Sequence, residues 1–136
     1  MCTSILLADD HARFLNAMEQ LLASEPGLQV VGVGGDGGTA WRLIEQLRPD
    51  VAVLDIEMPE ADGIAIARRL QQYTSPTKVV LLTIHRDPAL MQAAWAAGAW
   101  GYLLKENAAA ELPGAIRSVS DGVRFTGKAC GEFGGT

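Results

Sequence analysis

Residues 4–11 read Ser4-Ile5-Leu6-Leu7-Ala8-Asp9-Asp10-His11, a short apolar run that stops on two adjacent carboxylates. A run of this length and composition reads as a buried strand, and burial penalises the charge that ends it. The pattern returns at Val51-Ala52-Val53-Leu54-Asp55. Further apolar runs lie at Leu28 to Val33, Val79 to Thr83 and Gly101 to Leu104. Between and after them, Phe14 to Ala23, Thr39 to Leu47, Ile64 to Gln72, Pro88 to Ala97 and a last segment ending near Val119 read as helices, several with apolar residues three and four apart. Strand and helix alternate through five rounds, which predicts a doubly wound α/β domain: a five-stranded parallel sheet with helices on both faces. Turn residues fall between the elements at Pro26-Gly27, Gly34 to Gly38, Pro49-Asp50, Asp62-Gly63 and Ser75-Pro76.

With 136 residues, 49% hydrophobic and 20% charged, the chain has the size and balance of one domain. Its formal charge of −5 and the absence of a basic run argue against direct nucleic-acid binding by these residues. No secretory leader and no membrane-length apolar run is visible, so a cytoplasmic protein with no membrane partner is expected. Cys2 and Cys130 lie near opposite ends without metal-ligand spacing and read as free thiols. Pro113 and Gly114 fall inside the last helical segment, which predicts a late start or a kink and loosens Glu106 to Leu112. After Val123 the Gly-rich residues 124–136 read as a frayed tail or the start of a linker.

Ligands of open parallel sheets bind beyond the carboxyl ends of the strands. Those ends supply Asp9 and Asp10, Asp55, Thr83 and Lys105. At about 5 Å and an effective dielectric near 20, two carboxylates repel by roughly 3 kcal/mol, so three of them call for a cation. All-oxygen donors with room for water suit Mg²⁺, which commonly also holds a phosphate; Lys105 could then neutralise a phosphoryl oxygen and Thr83 donate to it. Singly these residues have plainer readings. Asp10 could cap the first helix, Asp62 reads as the cap of the third, and Lys105 could be a solvated strand-end lysine. His11 reads as a first-turn residue, since imidazole is a poor ligand for Mg²⁺.

The ordered set Asp9-Asp10, Asp55 with Met58-Pro59 and Asp62-Gly63, Thr83, and Gly98-Ala99-Trp100-Gly101-Tyr102-Leu103-Leu104-Lys105 resembles the receiver domain of two-component response regulators. Leu103-Leu104-Lys105 without a following proline, with Glu111-Leu112 and Ala115-Ile116-Arg117, resembles the NarL/FixJ (LuxR-type) subgroup. The resemblance implies a flavodoxin-like, CheY-like fold with strand order 2-1-3-4-5 and a receiver domain over residues 1–123. It implies that Asp55 accepts a phosphoryl group from a sensor histidine kinase, with Mg²⁺ held by Asp10, Asp55 and the Glu57 main-chain carbonyl and with Asp9 nearby or acting through water. Such a protein catalyses only its own phosphorylation and dephosphorylation. Thr83 and Tyr102 would be the switch residues, Tyr102 rotating inward. The resemblance also implies transcription regulation through a helix-turn-helix output domain that this chain lacks, so DNA would be reached only through that domain; it admits a homodimer.

Glu57 and His85, two residues beyond Asp55 and Thr83, match positions that tune phosphoryl lifetime in that family; His85 also reads as a half-exposed loop residue. Trp95 reads as core, and Trp41 opens a helix whose Leu43, Ile44 and Leu47 seek burial. Alternation places Trp100 on the side of Tyr102, where it either extends an apolar interface or packs on the last helix. Three other functions stay open. A flavodoxin-like cofactor carrier is opposed by Asp9-Asp10, which would repel a phosphate. An aspartyl-phosphate phosphatase, with Glu57 as its acid, would need a cap domain. A stand-alone or pseudo-receiver would act by protein contacts without phosphorylation.

Overall fold

The computed structural model describes residues 2–128. Each apolar run forms a strand: β1 Thr3–Ala8, β2 Leu28–Gly34, β3 Val51–Asp55, β4 Lys78–Thr83 and β5 Gly101–Leu104. The helices are α1 Ala12–Ala23, α2 Gly37–Leu47, α3 Gly63–Gln72, α4 Pro88–Ala96 and α5 Ala108–Ser120. The sheet is parallel throughout, in the order β2-β1-β3-β4-β5-β6. The order 2-1-3-4-5 read from the resemblance therefore holds, and a short strand β6, Phe125–Thr126, is added beyond β5. It lies in the stretch read as tail or linker. The Phe125 and Gly127 amides donate to the carbonyls of Trp100 and Tyr102 at 2.9 and 2.8 Å. The frayed-tail reading beyond Lys128, and Cys130, lie outside the described residues.

Strand side chains alternate between two cores, as the period of two requires. Leu6, Ala52, Leu54, Leu81 and Tyr102 pack with α2, α3 and α4; Ile5, Leu7, Val53, Leu82 and Leu103 pack with α1 and α5. All five β3 residues are buried, Asp55 included, so the central strand ends in a carboxylate that water does not reach freely. Carboxylate caps set where three helices begin. Asp36, Asp62 and Asp87 accept from Thr39 N at 2.7 Å, Ala65 N at 2.7 Å and Ala89 N at 3.0 Å. Asp62 is thus the α3 cap expected.

The last helix departs from expectation. A 3₁₀ turn over Lys105–Asn107 leads directly into α5, which runs unbroken through buried Pro113. Pro113 lies in the second turn, so its missing N–H forfeits one bond, to the carbonyl of exposed Ala109. Among the described residues no helix is long and apolar enough to cross a membrane.

Candidate functional site

Asp9, Asp55, Thr83 and Lys105 meet at the carboxyl edge because β1, β3, β4 and β5 all point there. Asp9 and Asp55 are 2% and 3% exposed. The Lys105 ammonium lies 2.6 Å from Asp9 Oδ2 and 3.1 Å from Asp55 Oδ2, with its side chain mostly buried. Beyond this ion pair neither oxygen has a hydrogen-bond donor. Burial, and then the charge of Asp9, push the Asp55 carboxyl up to about 6, against the opposing pull of Lys105 and the Glu57 amide. That amide donates to Asp55 Oδ1 at 3.1 Å.

Gly63 explains how the following loop folds back. A Cβ there would lie 2.6 Å from the Asp55 carbonyl oxygen and 2.8 Å from Leu81 Cδ2, so only glycine lets α3 start against β3. The loop also docks on the start of α2, where Gly37 N donates to the Pro59 carbonyl at 2.9 Å.

Asp9, Asp10, His11 and Asp55 each place one ligand atom within 4.8 Å of the others. The carboxylate oxygens, two of them buried and faced at close range by one shared ammonium, fit a hard divalent cation. His11 was not expected here. It is the N-cap of α1, with no side-chain cap of its own. Asp9 Oδ1 accepts its amide at 2.8 Å, and its Nδ1 stands 3.1 Å from Asp9, 3.3 Å from Asp10 and 3.2 Å from Lys105 Nζ. The available signal was its position immediately after the acidic pair, where an extended N-cap turns the ring back over the strand end. Asp10 is part of this cluster and does not cap α1.

Thr83 is 1% exposed, and its Oγ1 accepts the His85 amide at 3.0 Å, leaving the hydroxyl proton to donate elsewhere. His85 and Glu57, expected separately, are joined: His85 Nε2 and Glu57 Oε1 are 2.6 Å apart. They stand on a cleft of about 660 Å³ that Asp10, Met58, Pro59 and Leu90 also line. Tyr102 is fully buried with its ring 6.4 Å from that of Trp95, so the inward position already exists here. Trp100 stands apart from it. It is half-buried at the far end of β5, packs against the α1–α5 core and lies beneath two cations, Arg124 at 4.8 Å and Lys78 at 5.3 Å. The simple alternation that grouped it with Tyr102 fails: Tyr102 packs with the α2–α4 core and Trp100 with the other.

Residues 5–117 match the family model described as response regulator receiver domain. The chain is 40% identical over 118 residues to the transcriptional regulatory protein DegU of Brevibacillus brevis, covering 87% of this chain and 50% of that one. The chain thus spans half the length of that relative. Its structure resembles that of a LuxR-family two-component response regulator from Aurantimonas sp. SI85-9A1, with TM-score 0.92, 30% identity and coverage of 98% and 96%. It also resembles the signal receiver domain of the putative response regulator NarL from Mycobacterium tuberculosis, with TM-score 0.86, 35% identity and coverage of 89% and 98%.

Proposed function

This chain belongs to the response regulator receiver domain family, and from that premise we propose that Asp55 accepts a phosphoryl group from the phosphohistidine of a sensor histidine kinase. One observation carries the reading: a buried carboxylate ends the central strand and is faced by the ammonium of a mostly buried lysine 3.1 Å away. A carboxylate oxygen of Asp55 attacks phosphorus, the phosphorus–nitrogen bond breaks, and the imidazole leaves. No proton need be abstracted from the nucleophile in its ionised form.

Asp9, Asp10, Asp55 and the Glu57 carbonyl are the groups suited to hold Mg²⁺, which would supply charge neutralisation for the carboxylates and the transferred phosphoryl oxygens. The chain's own residues do the remaining work. Lys105 is placed to pair with a phosphoryl oxygen once one is present, releasing part of its hold on Asp9 and Asp55. The Thr83 hydroxyl is the donor that can follow a new anion, and Tyr102 lies buried on the neighbouring strand, paired with Leu81 two residues before Thr83. Together they form the bistable element that the phosphoryl group biases. The contact between Glu57 and His85 lies on the cleft that Asp10 also lines, beside Asp55 in the chain, and by this reading it tunes the phosphoryl lifetime.

The relatives' names support a transcriptional role; on this reading it is exerted through an output domain outside this chain, with a homodimer as the active form. The test is intact mass after incubation with Mg²⁺ and acetyl phosphate, beside Asp55→Asn. One added phosphoryl group on the wild type alone is the expected result. No addition to the wild type would overturn the assignment in favour of a pseudo-receiver.

A further inference from the structure

The edge of the sheet opposite the carboxylates carries two clefts, of about 340 and 360 Å³, that share Leu70, Ser75 and Thr77 as a common wall. Trp41, Tyr73 and Arg48 line the first; Trp100 and Arg124 line the second. Two more cations lie on the indoles: the Arg69 guanidinium is 4.0 Å from the Trp41 ring and Lys78 Nζ is 5.3 Å from that of Trp100. Among the described residues, the ion pairs involve none of Arg48, Arg69, Lys78 or Arg124. In a chain of net charge −5 that is an unusual concentration of unspent positive charge, and Glu45 is the one carboxylate on the lining of either cleft. Tyr73 is 65% exposed, although its ring lies 6.0 Å from that of Trp41.

We propose that this trough docks an acidic, extended peptide segment of a partner protein, whose carboxylates pair with Arg48, Arg69, Lys78 and Arg124 while its apolar side chains enter the two clefts. Charge complementarity names the occupant's sign. The cations resting on the indoles argue for a peptide over a nucleic acid. Ring faces occupied by the chain's own guanidinium and ammonium groups are not open to stacked bases. The same stacking holds those cations in place before binding, so less side-chain freedom is lost when a carboxylate arrives. The alternation of cleft, shared wall and cleft suits an extended chain, whose side chains point alternately toward and away from the surface.

The test is titration of the isotope-labelled protein with extended peptides that alternate Glu with Leu, Phe or Trp, beside their Gln counterparts and an oligothymidylate. Resonances of Arg48, Tyr73 and the Trp100 indole should shift saturably with the acidic peptides, and affinity should fall with added salt. The variant Arg69→Gln/Arg124→Gln should bind at least about fivefold more weakly, while acetyl phosphate still modifies Asp55 as in the wild type. No shift with any acidic peptide, equal binding of the Gln counterparts, or an unchanged affinity in the double variant would overturn the proposal. So would tighter binding of the oligothymidylate.

Discussion

Burial holds the Asp55 carboxyl up to about 6, above the roughly 3.9 of an unfolded aspartate. Between those values the native state keeps a proton that the unfolded chain releases, so metal-free stability falls as pH rises from about 4 to about 6 and stays low above it. The loss is on the order of 1–3 kcal/mol. Asp55→Asn should therefore be the more stable protein at neutral pH without metal, and urea midpoints in chelator at pH 4.5 and 7 should show the two proteins converging at the lower pH. A constant difference across both would contradict the burial argument. The same cost is what a bound divalent cation relieves. At about 100-fold excess over its dissociation constant, Mg²⁺ should stabilise the fold by about 2.7 kcal/mol, a gain of several degrees in melting temperature that Asp10→Asn should reduce. At the mouth of the site, His85→Ala removes the contact with Glu57. A hydrogen bond of about 1 kcal/mol corresponds to a change of about fivefold in dephosphorylation rate, measurable by the decay of phosphorylated protein. The carboxylates, Thr83 and Lys105 were legible because strand ends are countable in a sequence. The approach of His11 was not, since an N-cap's side-chain direction depends on backbone angles that no spacing encodes.

Helix α5 and the start of α3 carry the predictions that belong to elements. Pro113 leaves the Ala109 carbonyl without its helical donor, and the preceding turn is 3₁₀. Amides at Ala110 to Leu112 should exchange faster than those at Ala115 to Val119, read by hydrogen exchange; equal protection would show that tertiary packing of Leu112 and Pro113 compensates fully. That packing, with both residues buried, is why the helix continues where propensity alone placed a late start or a kink. Gly63→Ala would drive a methyl group into the Asp55 carbonyl. A loss of about 1–3 kcal/mol in unfolding free energy is expected, together with slower phosphorylation of the displaced Asp55. The strands were readable from their uninterrupted apolar runs, and the α3 cap from Asp62; the caps at Asp36 and Asp87 emerge only with the structure. Strand β6 was not, because two residues carry no periodicity and its pairing is fixed only by where α5 delivers the chain.

At the scale of the molecule, chemistry and unspent positive charge occupy opposite edges of one sheet. The carboxylates cluster where the strands end, and the two aromatic clefts open where β4 and β5 begin. Composition gave the net sign of the charge but not this division, which depends on helices α2 and α3 ending beside the loops that lead into β4 and β5. Strand β6 adds a mechanical property to that layout. It lies parallel to β5 and is held by amides bonded to the Trp100 and Tyr102 carbonyls. Tension drawn along the chain beyond Thr126 therefore loads those two bonds together in shear, instead of peeling them one at a time. That load falls on the backbone of β5, the strand that also carries Tyr102 and delivers Lys105 to Asp55 at the end of β3.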